Sequence, residues 1–139
     1  MNLPSDDLLH EIFELVDTIA VIGCSTNPTK AAHNIPKYMH ECGYNVIPIN
    51  PHTTENIFGQ VTYSSIADVP AKIDMVNVFR PSSEMPTVIN TILDRNDSNI
   101  IWMQLGISHP EAAKLAESNG RVVIQDECLM VEHRRIKGV

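Results

Sequence analysis

The chain has 139 residues, of which 43% are apolar, 19% charged and 5% aromatic, enough for one hydrophobic core and unlike a disordered chain or a coiled coil. Ten basic against seventeen acidic residues leave a net charge of −7, so there is no global basic footprint for nucleic acid or anionic lipid, and an anionic ligand needs a local site. No run reaches the roughly 20 apolar residues that span a bilayer. The N-terminus lacks a signal peptide's basic region, and Cys24, Cys42 and Cys128 are too few and too scattered for a disulfide framework or a zinc site. A cytoplasmic, reduced, single-domain protein over residues 1–139 is expected.

In chain order, Leu8, Leu9, Ile12, Phe13 and Val16 make a helical stripe over residues 5–16, with Ser5 as N-cap and Asp6 and Asp7 at the positive end of the dipole. This helix lies outside the repeating units that follow and is expected to pack on the core. Residues 18–23 (TIAVIG) form a short, continuous, β-branched run, the mark of a strand buried on both faces of a parallel sheet. Similar runs recur at 45–49, 75–79, 100–103 and 121–124.

Helical stripes alternate with them. Ile35, Tyr38, Met39 and Cys42 precede a stop at Gly43; Met85, Val88, Ile89, Ile92 and Leu93 follow residues 81–83. Ser108 and Glu111 have capping-box spacing ahead of a third helix that Gly120 ends. Shorter helical turns are expected near 65–69 and 129–133. The alternation predicts a doubly wound α/β sheet of five parallel strands with helices on both faces.

In such sheets ligands bind outside the carboxyl ends of the strands, which singles out segments 23–30, 50–52, 79–84 and 104–107. The loop 23–30 (GCSTNPTK) carries small and hydroxyl residues that let backbone N–H groups approach a phosphate, and Lys30 adds a positive charge. The dinucleotide fingerprint G-x-G-x-x-G is absent, because Ser25 and Pro28 occupy its second and third glycine positions, and no Walker spacing is present. A tight βα turn explains the same residues without a ligand. Asn50, Pro51 and His52 end the second run without the acid that a NAD ribose needs; Glu41 and Glu55 are the nearest. Phe79, Arg80 and Pro81 end the third, with Arg80 suited to bidentate phosphate contact or to a surface ion pair with Glu84. Gln104, Gly106 and Ile107 follow the fourth, which holds Trp102, a core residue by its setting.

Taken together, IAVIGCSTNPTK (19–30), HECGYNVIPINP (40–51), DMVNVFRPSSE (74–84), IWMQLGI (101–107) and VVIQDECLMVEH (122–133) resemble the small stand-alone CoA-binding proteins. These are related to the N-terminal domain of the succinyl-CoA synthetase α subunit. The resemblance runs from about Thr18 to Arg135. It implies a Rossmann-like sheet in the order 3-2-1-4-5, with coenzyme A or an acyl-CoA along the strand ends, bound by a carrier, sensor or regulatory module. The loop 23–30, Cys24 included, would hold the pyrophosphate, chiefly through Gly23, Ser25 and Lys30. Asn50, Pro51 and His52 would face the adenosine and its 3′-phosphate. Phe79, Arg80 and Pro81 would flank the nucleotide, and Gln104, Gly106 and Ile107 the path of the pantetheine arm. The synthetase's phosphorylated histidine lies on a following domain, which would begin where residue 139 ends the sequence, so ligase activity by this chain alone is not expected.

Three other readings compete. One is a NAD(P)-type nucleotide binder, against which the missing glycines and ribose acid count. Another is a thiol enzyme in which Cys128 works with Asp126 and His133, although cysteine is more often a small buried hydrophobe and two acids beside it disfavour a thiolate. The third is an interaction protein with a vestigial cleft, its partner unidentified. Cys24 is a lesser candidate for redox modification. The six histidines lack metal-ligand spacing and are expected mostly at the surface, and the basic stretch 132–137 reads as a solvated helix C-terminus.

Overall fold

Strands β1 (Thr18–Ile22), β2 (Asn45–Ile49), β3 (Met75–Val78), β4 (Ile100–Met103) and β5 (Val122–Ile124) form one parallel sheet in the computed structural model, which describes residues 3–138. Helices α1 (Asp6–Leu15), α2 (Ala31–Glu41) and α5 (Leu129–Lys137) cover one face, and α3 (Met85–Leu93) and α4 (Pro110–Ser118) the other. Neighbouring strand residues feed opposite layers. Val76, Val78, Ile101 and Met103 pack with Ile89, Ile92 and Ala116, whereas Ile19, Val21, Met75 and Trp102 pack with Leu9, Phe13, Met39 and Leu129. Trp102 is fully buried, and its indole N–H donates to the Glu127 carbonyl at 2.8 Å.

The sheet is the five-stranded Rossmann-like one expected, with helices on both faces. Its order along the sheet is β2-β1-β3-β4-β5, so β3 lies between β1 and β4, where an order of 3-2-1-4-5 in chain numbering sets it outside β2. The place outside β2 is taken by Tyr63, in a one-residue parallel bridge to Ile49, and with that bridge counted as the third strand the sheet runs 3-2-1-4-5 and then a sixth. A proline cannot donate to a ladder and is confined to edge strands. The Pro48 carbonyl points outward to accept the Tyr63 N–H at 3.1 Å, so the missing donor falls on the outer side of β2, where Tyr63 alone bridges. β3 pairs on the far side of β1, and the connections leaving β1 and β3 part company there, at the topological switch point.

Local signals mostly decide the helix ends. The Ser5 hydroxyl accepts the Leu8 N–H at 3.2 Å and caps α1. The cap of α4 corrects the sequence expectation. It is His109, whose Nδ1 accepts the Ala112 N–H at 3.1 Å, with Pro110 at the first helical position. Ser108 is held elsewhere, donating its N–H to the Ser82 hydroxyl at 3.0 Å. The turn near 65–69 is a 3₁₀ segment, Ile66–Asp68, capped by Ser65, while the expected short turn at 129–133 extends into all of α5.

A second correction concerns residues 132–137, which are not simply a solvated terminus. Glu132 and His133 are buried where α5 meets α1 and α2. The His133 ring contacts Phe13, Tyr38 and Tyr44 edge-on, and its Nδ1 lies 2.7 Å from the Tyr38 hydroxyl. Burial, with Lys137 nearby, lowers its pKa and so favours the neutral ring. Among the described residues, no helix is long and apolar enough to cross a membrane.

Candidate functional site

The carboxyl ends of β1, β2, β3 and β4 open into a cleft of about 1020 Å³, at the upper end of the range for small-molecule sites. The first wall begins at Gly23. Its φ of +85° is a left-handed conformation, and a Cβ there would lie 2.6 Å from the Phe79 carbonyl oxygen. The β1 and β3 loops can thus touch only through a glycine.

Beyond it, the chain folds on its own polar side chains. The Ser25 hydroxyl accepts the Asn27 N–H at 3.0 Å, and the Asn27 carboxamide accepts both the N–H and the hydroxyl of Thr29. Pro36, inside α2, cannot donate to the Ala32 carbonyl four residues back; the Ser25 N–H takes that acceptor at 3.0 Å and pins the loop to the helix. α2 then starts at Lys30 with no side chain capping it and no acid in its first turn, so its positive end faces the cleft beside the Lys30 ammonium. Uncapped N–H groups, a helix dipole and a lysine together favour an anion.

Asn50 ties the second wall to the first. Its carboxamide donates to the Cys24 carbonyl at 2.9 Å and accepts the His52 N–H at 2.8 Å. On the third wall, Arg80 donates from Nε and Nη2 to the two Glu84 oxygens at 3.0 and 2.8 Å. That hydrogen-bonded pairing holds the guanidinium above, and the carboxylate below, its ordinary pKa. At the fourth, Gln104 is buried and its Oε1 accepts the Leu129 N–H at 3.3 Å, while Gly106 turns with a φ of +86° and gives its N–H to Asp126 at 2.6 Å. Leu105, 65% exposed, forms an apolar lip.

Of the sequence candidates, Gly23, Ser25, Lys30, Asn50, Pro51, His52, Phe79, Arg80, Pro81, Gln104, Gly106 and Ile107 all line this cleft. Cys24 does not. Its side chain is fully buried in the layer formed with α1 and α2, and burial, against a weaker opposing pull from the Ser25 backbone, pushes its thiol pKa up to about 12. Both disfavour the thiolate that redox modification requires. Cys128 lines the cleft at the start of α5, but the acid and base suggested for it are engaged elsewhere, Asp126 with Gly106 and His133 with Tyr38. No carboxylate from the end of β2 reaches the cleft; among the described residues lining it, Glu84 is the one acid. Sequence reasoning missed the hydroxyls of Ser64, Ser65, Thr87 and Thr91, which come from the segment before the 3₁₀ turn and from α3. Nothing in their local sequence signals a ligand; Ser64 and Ser65 follow Tyr63, which bridges to Ile49 at the end of β2, and Thr87 and Thr91 lie on the helix that follows β3.

Residues 17–134 match the family model described as a CoA binding domain. The chain is 37% identical over 133 residues to the uncharacterized protein YneT of Bacillus subtilis, covering 96% of this chain and 97% of that one. It is 29% identical over 108 residues to an ADP-forming acetate–CoA ligase of Archaeoglobus fulgidus, which spans 76% of this chain but only 16% of the ligase. Among solved structures, a Thermus thermophilus protein superposes with a TM-score of 0.92 at 36% identity over 96% of this chain and 99% of its own. A hypothetical protein from Pyrococcus horikoshii does so with a TM-score of 0.91 at 30% identity, over 97% and 94%.

Proposed function

The chain belongs to the CoA-binding domain family, and from that premise we propose that the cleft binds coenzyme A or an acyl-CoA, the chain serving as a carrier, sensor or regulatory module without ligase activity of its own. The observation that carries this reading is the uncapped start of α2 beside Lys30, facing a long cleft over the carboxyl ends of four strands. The pyrophosphate sits on Ser25, Lys30 and the first turn of α2, where N–H groups and the dipole offset its charge. Adenosine lies beside Asn50, Pro51 and His52, and Arg80 supplies a second cation. The pantetheine arm runs along Gln104, Gly106 and Ile107, under the apolar lip of Leu105, with its thiol end toward Cys128. These residues hold and orient a ligand, and Cys128 lacks the partnership of Asp126 and His133, which are engaged with Gly106 and Tyr38.

Calorimetric titration of nucleotide-stripped protein with CoA, 3′-dephospho-CoA and NADH tests this reading. CoA is expected to bind most tightly, dephospho-CoA more weakly and NADH not at all. Binding of NADH alone would transfer the cleft to a dinucleotide, and silence from all three would leave it vestigial.

A further inference from the structure

In the cleft, the Arg80 guanidinium already holds an anion, and that anion is the protein's own. Glu84, four residues on, accepts from Nε and Nη2 with both carboxylate oxygens, at 3.0 and 2.8 Å. This is the fork geometry with which arginine also grips a phosphate. Both side chains line the cleft, and 42% of the Arg80 side chain and 44% of that of Glu84 remain exposed. An ion pair this open to water is weak and easily exchanged. While it lasts, the Arg80 charge is cancelled, and among the described residues lining the cleft Lys30 is left as the uncompensated full charge. A polyanion entering the cleft meets the Glu84 carboxylate at the same wall.

From this arrangement we infer that Glu84 is an internal stand-in for a ligand phosphate. It occupies the Arg80 fork in the free protein, yields it to phosphate oxygens on binding, and so sets how much negative charge a ligand needs to engage the site. The inference rests on the CoA reading of the cleft and adds a selectivity residue to it. Glu84 competes for Arg80 and does not position it for the ligand, so removing its charge strengthens binding. The effect scales with ligand phosphate and requires Arg80.

The test is calorimetric titration of the wild-type, E84Q, R80A and R80A/E84Q proteins with CoA and with uncharged pantetheine. E84Q is expected to bind CoA about two- to fivefold more tightly than wild type, the range set by the energy of an exposed ion pair. Pantetheine affinity should be the same in both, and adding E84Q to R80A should recover less than the gain E84Q brings alone. If wild type binds CoA and E84Q binds it equally or more weakly, Glu84 positions Arg80 and the exchange is overturned while the CoA reading stands. An equal gain with and without Arg80 would reduce Glu84 to simple repulsion and likewise overturn the exchange. If no variant binds CoA, the reading of the cleft falls and the inference with it.

Discussion

The two ends of the sheet treat their polar groups in opposite ways. At the amino ends of the strands the protein consumes them itself. Asp74 Oδ2 accepts the N–H groups of Asp17 and Thr18 at the start of β1, and Asp97 accepts from the Ile73 N–H, the Ser98 hydroxyl and Arg95. The remaining Arg95 donors go to the carbonyls of Ile66, Val69 and Ala71, and Arg121 ties down those of Arg95, Asp97 and Asn119. At the carboxyl ends Lys30 and the first turn of α2 are left facing an open cleft. If the closed end serves stability and the open end binds the ligand as proposed, substitutions at the two ends should have separable effects.

The largest effect is expected at the closed end. Arg95 and Asp97 are largely buried, at 15% and 12% side-chain exposure, so Arg95→Ala strands a carboxylate and should cost about 3 kcal/mol in urea unfolding. The protein that remains folded should bind CoA like wild type; a lost affinity at intact fold would break the division between the ends. The same pair makes the closed end acid-sensitive. Burial pushes the Asp97 pKa up, but Arg95, the Ile73 N–H and the Ser98 hydroxyl outweigh it and bring it to about 2 from 3.8. Because the folded value is the lower, this stabilisation, about 2 kcal/mol, is present above pH 3.8 and fades as pH falls toward 2. Asp97→Asn should flatten the stability profile across that window.

Gly23→Ala should blur the comparison, since Gly23 joins the two loops that frame the cleft. A left-handed alanine, with its Cβ against the Phe79 carbonyl, should cost about 2 kcal/mol by thermal unfolding and weaken CoA binding as well. Lys30→Ala and Arg80→Ala sharpen it. Each should lower CoA affinity by about 1–2 kcal/mol while melting within about 0.5 kcal/mol of wild type. Unchanged affinity in both variants would remove the phosphate from this end of the sheet.

The sequence displays the strands and the loops that follow them because those signals are local. Runs such as TIAVI and IIWM are too apolar and too short for anything but buried strands. The loops after them are short enough that strand ends and cleft residues coincide. Contacts made at long range were harder to see. The burial of His133 depends on Phe13 and Tyr38, from two other helices, and the lining by Thr87 and Thr91 depends on where β3 inserts. Pro48, whose missing donor marks an outer position, is a local sign only that β2 lies near the margin of the sheet. The Arg80–Glu84 pairing is visible as i, i+4 spacing, but its position at a cleft wall is not.

Pro48 also bears on how the molecule meets copies of itself. A bare sheet edge is a template on which a second chain can add a strand. Here the outer side of β2 presents a residue with no donor, and the acceptor it does have is already taken by Tyr63, whose carbonyl in turn receives the Asn50 N–H. The opposite edge, β5, is three residues long. Neither margin offers the long, unpaired ladder on which edge-to-edge polymerisation grows, a form of protection that lies in backbone chemistry and is independent of surface charge.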